Sequence, residues 1–302
     1  MTVSRAIVPA LFLSLLGFIP ALARAQAVVL VHEGTLYADA EEKPLKAPEG
    51  VACTDSGHVV VADTGNQRLV LYTFKDRRLG GGKEIKLDQL TSPQRVQIDA
   101  KGDLFALDLK TRKVVRITAS GSYGGTILAK GIDGSATIQP TSFKLDASGN
   151  VYLLDGPGRR VLVLDPSGTV TAQVKLPKES GVVTDIAVGT GGMLYAVDAV
   201  KAVIWSAEKG AAAFKPLTPS LKDRMSFPSY ITASRGRLFV VDQNGNGIVT
   251  LGIDGSYQGR QLSIGWSEGL VNYPAQLCVT ESGATFVADR FNNRVQAFST
   301  AK

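Results

Sequence analysis

The feature that most constrains this 302-residue chain is that it aligns with itself six times. In four copies a Pro, a Gly, an Asp and a basic residue recur in step: Pro48, Gly57, Asp63, Arg68; Pro93, Gly102, Asp108, Lys113; Pro140, Gly149, Asp155, Arg160; and Pro274, Gly283, Asp289, Arg294. Pro to Gly is nine residues, Gly to Asp six, and Asp to the basic residue five. The fourth copy keeps Gly192 and Asp198 with Val183 in the Pro position, and the fifth keeps Pro228, Gly236 and Asp242. Successive aspartates stand 45, 47, 43, 44 and 47 residues apart.

Each copy carries strand patterns rather than helical ones, with β-branched and aromatic residues between Gly and Asp, as in Leu104-Phe105-Ala106-Leu107 before Asp108. Three residues after the Gly stand Val60, Phe105, Tyr152, Tyr195, Phe239 and Phe286, which read as packing residues. A period of about 40 to 50 residues made of four short strands means propeller blades, because one blade cannot bury both of its faces alone. The expected fold is all-β: a six-bladed β-propeller of four-stranded blades. The sixth copy ends with its third strand, so the N-terminal run Ala27-Val28-Val29-Leu30-Val31 is expected to complete that blade, closing the ring and removing two exposed sheet edges.

The runs Pro48-Glu49-Gly50-Val51-Ala52 and Val59-Val60-Val61-Ala62-Asp63-Thr64-Gly65-Asn66-Gln67-Arg68 closely resemble the NHL repeat, as does Phe286 to Val295 in the last copy. The resemblance extends over nearly all of the chain beyond its first 25 residues and implies the propeller fold. It implies little about activity, since the family includes binding scaffolds, RNA-binding domains, sensors and a few enzymes.

Residues 1–25 read as an export signal: Arg5 gives the positive start, Ala6 to Ile19 the apolar segment, and Ala23-Arg24-Ala25 the cleavage site. Pro9, Ser14 and Pro20 interrupt the apolar run, which falls short of the ~20 residues a membrane span needs. Residues 26–302 are then one propeller domain, exported to a periplasm or outside the cell. Without Arg5 and Arg24 the 33 basic residues become 31 against 27 acidic ones, a net charge of +4. These charges are spread along the chain, which argues against nucleic acid as a partner.

The six aspartates Asp63, Asp108, Asp155, Asp198, Asp242 and Asp289 recur blade by blade, so they are expected to hold turns, paired in four copies with the basic residue five positions on. A catalytic group is needed once. Cys53 and Cys278 fall on innermost strands that ring closure makes neighbours; they read as two buried thiols in preference to a disulfide, which would staple the closure. Residues that differ from blade to blade on a constant apolar frame point to the channel mouth, and Arg95, Lys144, Asp185, Tyr230 and Gln276 are the candidate binding residues there.

Catalytic patterns are scarce. The chain has two histidines, His32 and His58, both placed peripherally, too few for a zinc lyase site, and Glu49, Asp99, Asp146 and Asp185 fall at different depths for a calcium site. No catalytic residue, metal ligand or cofactor is assigned. The expected function is an exported propeller that binds a protein, peptide or carbohydrate partner in the cell envelope, as a scaffold rather than an enzyme. The alternatives are a metal-dependent hydrolase or lyase working at the channel mouth, and a sensor for a small ligand.

Overall fold

The second strand of each blade is buried along nearly its whole length, as in Leu104–Asp108 and Val151–Asp155, because both faces of a blade are covered by its neighbours. The computed structural model describes residues 28–132 and 138–300; the leader expected over 1–25 lies outside them. Among the described residues there are six four-stranded antiparallel sheets. The first blade runs Gly50–Cys53, His58–Asp63, Arg68–Lys75 and Arg78–Ile85 from the axis outward. The other innermost strands are Pro93–Ile98, Pro140–Leu145, Val183–Val188, Pro228–Ser234 and Pro274–Val279. Each touches the next around the ring, and the first touches the sixth.

The repeated Gly closes the hairpin between the innermost and second strands, where Gly57, Gly102, Gly149, Gly192, Gly236 and Gly283 all have positive φ. That backbone costs a side-chain-bearing residue strain, which explains why Gly recurs there. The core is six apolar layers, each between two neighbouring blades. Leu154 and Val161 of the third blade, for example, meet Ile186 and Trp205 of the fourth. The apolar frame Val51, Val96, Phe143, Ile186, Ile231 and Leu277 is closed to solvent in all six blades.

The repeated Asp is buried in every blade and ties two segments together. Asp108, for instance, accepts hydrogen bonds from Ser92 N at 2.6 Å, ahead of its innermost strand, and from Thr111 N at 2.8 Å in the turn that follows. The expected basic partner is present for Asp63 with Arg68 (2.7 Å), Asp155 with Arg160 (3.0 Å) and Asp289 with Arg294 (2.7 Å). The second blade departs from this: Lys113 is exposed, and the Asp108 oxygens go to backbone and to Thr91 and Thr111 instead. In the fifth blade Arg260, on the outer strand, reaches Asp242 at 2.8 Å.

The N-terminal strand completes the last blade as the sequence implied, but later in the chain. Leu30–Leu36 pairs antiparallel with Arg294–Thr300, with an irregularity between His32 and Gly34. Leu36 and Leu45, buried beyond the expected run, anchor this strand in the layer between the sixth and first blades. At the same junction Cys53 and Cys278 form a disulfide, with Cα atoms 5.8 Å apart and 225 residues between them in sequence. The preference for two free thiols is therefore corrected. Ring closure brings two positions together that face each other across adjacent blades.

Candidate functional site at the channel mouth

An irregularity recurs at the start of five innermost strands, between Pro93 and Arg95, Pro140 and Ser142, Val183 and Asp185, Pro228 and Tyr230, and Pro274 and Leu277. A bulge adds a residue to one strand and re-aims the side chains that follow. Here it accompanies a set of polar side chains that meet around the axis.

All five candidate binding residues are among them, and all are buried. Asp185 is the hub: it accepts from Ser142 Oγ and from Ile231 N (2.9 Å), and its Oδ2 lies 3.1 Å from Lys144 Nζ. Lys144 Nζ stands 3.6 Å from the centroid of the Tyr230 ring, and the Arg95 guanidinium 5.3 Å from it. Arg95 donates to the carbonyls of Ala275 and Ser229, each at 3.1 Å. Gln276 Nε2 donates to the carbonyls of Val51 and Val96, each at 2.9 Å. The ring expected at the mouth thus lies below it and fills the channel, with Arg95 alone of the five also lining the cavity above.

That cavity, about 290 Å³, is built from the segments ahead of the innermost strands and the turns after the repeated Asp. Its charged residues are Glu49, Arg95, Arg112 and Arg290. Glu49 is 8% exposed; its Oε2 accepts from Gln94 Nε2 at 2.8 Å, and its Oε1 lies 3.1 Å from Arg290 Nη2. Three buried atoms of the lining, Arg95 Nε, Arg290 Nε and Ser229 Oγ, have no hydrogen-bond partner among the described residues. Buried donors are nearly always satisfied, so three in one wall leave this cavity with polar capacity that the protein itself does not use. One carboxylate among three guanidiniums makes the mouth cationic.

Glu49, Arg112 and Arg290 are absent from the candidate binding residues drawn from the sequence. A signal for them existed in the repeat register: Glu49 follows Pro48, Arg112 is four residues after Asp108, and Arg290 directly follows Asp289. The donor set does not fit a divalent cation. No group of three or more His, Cys, Asp or Glu among the described residues could hold one, and Glu49 is already turned to an arginine. His32 bonds Thr35 in the N-terminal strand at 2.9 Å, and His58 is exposed at a blade turn, both away from the mouth.

A larger cleft of about 810 Å³ separates the third and fourth blades. Its carboxylates are engaged locally, Asp146 by Asn150 and Tyr152 and Glu208 by Lys215. The mouth is where unspent polar groups converge.

The NHL repeat profile matches residues 45–72, the first copy. No curated protein matches the chain in sequence. Among solved structures it is similar to virginiamycin B lyase from Staphylococcus aureus, with 15% identity and a TM-score of 0.64 over 88% of this chain and 98% of that one. It is similar to a gluconolactonase from Xanthomonas campestris, with 15% identity and a TM-score of 0.66 over 91% and 95% of the two chains. A nidogen/laminin complex holds a third, with 15% identity and a TM-score of 0.58 over 78% and 92%. These likenesses are of fold. With a lyase and a lactonase among the proteins that share it, the expectation of a pure binding scaffold for a protein, peptide or carbohydrate partner is corrected. No helix among the described residues is long and apolar enough to cross a membrane. The chain is a six-bladed β-propeller whose first repeat copy matches the NHL repeat.

Proposed function

We propose that the protein is an enzyme that breaks a C–O bond of a small anionic ester or lactone at the channel mouth. The observation that carries this reading is Glu49, a sheltered carboxylate set among Arg95, Arg112 and Arg290. A carboxylate within reach of a proton serves as general base, and guanidinium groups oppose the negative charge that develops on a carbonyl oxygen. Glu49 takes a proton from water as the water oxygen bonds to the carbonyl carbon; the C–O bond then breaks, and the leaving oxygen recovers the proton from Glu49. The names of two structural neighbours, a lyase and a gluconolactonase, support this class of chemistry.

We also propose that the enzyme is exported. The leader read over residues 1–25 and the disulfide between Cys53 and Cys278 support an oxidising compartment.

The test uses residues 26–302 and a panel of esters and lactones with and without a carboxylate, run in ¹⁸O-water. Turnover that favours anionic substrates and falls roughly 100-fold or more in Glu49→Gln, with an unchanged melting curve, supports the reading. Solvent oxygen in the product assigns hydrolysis, and a new double bond without it assigns elimination. No turnover of any substrate, or full activity in Glu49→Gln, overturns it.

A further inference from the structure

We propose that the rim of the mouth carries a ring-binding subsite, made by Tyr273 and Phe291 beside Arg290, which makes the preferred ligand an aromatic carboxylate. This deepens the reading above and rests on the mouth being the substrate site.

The two rings are stacked, with centroids 4.6 Å apart and planes 9° from parallel. The Arg290 guanidinium lies 5.6 Å from the Tyr273 centroid and 5.3 Å from that of Phe291. The same guanidinium is the one 3.1 Å from Glu49. The aromatic pair and the candidate base are therefore joined through one side chain, and a ligand spanning both would keep its charged end at the arginines.

The pair is particular to one blade. Ahead of the innermost strands stand Ala47, Ser92, Gln139, Val182, Phe227 and Tyr273; two residues after the repeated Asp stand Gly65, Lys110, Pro157, Val200, Asn244 and Phe291. Only the sixth blade has an aromatic at both places. Tyr273 is held there at φ 58, in the left-handed region that a bulky residue seldom adopts, by its N–H donating to Asn246 Oδ1 at 2.7 Å. Ala47 takes the same conformation in the first blade with Asn293 as acceptor, so the conformation goes with the asparagine contact, whereas the pair of aromatics is particular to the sixth blade.

Phe291 is 54% exposed, and Trp266, 77% exposed, sits on the neighbouring loop that Asn292 ties down through the Gly265 carbonyl at 2.8 Å. An exposed ring, Phe291, in contact with Arg290 of a cationic cavity of about 290 Å³ suits a guest with a planar ring and an anionic group. Stacking on an aromatic face distinguishes a flat ring from a puckered one of similar size.

The probes are benzoate, cyclohexanecarboxylate and acetate, titrated calorimetrically into residues 26–302. Benzoate is expected to bind at least tenfold more tightly than cyclohexanecarboxylate. Phe291→Ala should bring the two affinities together, and Phe291→Trp should restore the preference. The proposal fails if wild type binds the two six-membered rings equally, or if the preference survives Phe291→Ala. Because the readout is binding alone, loss of the catalytic reading leaves the aromatic preference measurable, and loss of the preference leaves turnover measurable.

Discussion

Arg95 of the second blade donates a hydrogen bond to the Ser229 carbonyl of the fifth, 3.1 Å away and on the far side of the ring. A side chain that spans the axis closes the channel as a conduit. The propeller therefore has a cavity at its mouth and is closed beneath, and the polar residues of its centre act as a brace. Several consequences can be measured.

Removing the hub of that brace should be costly. Lys144 Nζ lies 3.1 Å from Asp185 Oδ2 and makes no aligned hydrogen bond, so its charge is balanced by proximity to Asp185 and by the Tyr230 ring face. Asp185→Ala leaves a buried ammonium uncompensated, at a cost of about 3–5 kcal/mol in urea unfolding. Adding Lys144→Met to that variant should recover a clear part of the loss. A double variant no more stable than Asp185→Ala would show that the ion pair is not what the carboxylate serves.

The disulfide joins the first and last innermost strands, where the ring closes. Cys53→Ser with Cys278→Ser should lower unfolding free energy by roughly 2–5 kcal/mol, and reductant should reproduce the effect in the wild type only. Equal stability with and without reductant would contradict it.

Gly50 tests how closely neighbouring blades approach. A Cβ there would meet Gln94 O at 2.6 Å and the Cβ of Ala62 at 2.9 Å, and the first of these is backbone of the second blade. Gly50→Ala should therefore destabilise by about 1–3 kcal/mol through overpacking, although its backbone angles suit any residue. A neutral result in thermal melts would mean that the blades separate more easily than the packing implies.

Acid should weaken the Asp108 turn. Burial pushes this carboxyl up, but hydrogen bonds from Thr111 N, Ser92 N and Thr111 Oγ1 outweigh it and hold the group below its ordinary value. A folded pKa below the unfolded one contributes stability that is full above the unfolded value and is lost as pH falls through the folded one. Asp108→Asn should cost about 1–3 kcal/mol at pH 7, and its deficit against wild type should shrink below about pH 4. A deficit that stays constant from pH 7 to pH 3 would rule out the charged form as the source.

What the sequence by itself determined about this protein is local and periodic. Blade number, the Gly at each hairpin and the buried apolar frame from Val51 to Leu277 follow from spacings within single copies, because each blade repeats one short-range pattern. The need for a closing strand was legible too, although its position at Leu30–Leu36 was not, since burial of Leu36 and Leu45 between the sixth and first blades sets it. The site belongs to tertiary structure. A bulge at the head of five of the six innermost strands re-aims the side chains that follow, and no spacing marks a bulge. Glu49 meets Arg290, and Cys53 meets Cys278, only because the ring brings opposite ends of the chain together. Contacts between residues more than 200 positions apart leave no local trace, so the chemistry of the mouth could be assembled only by folding.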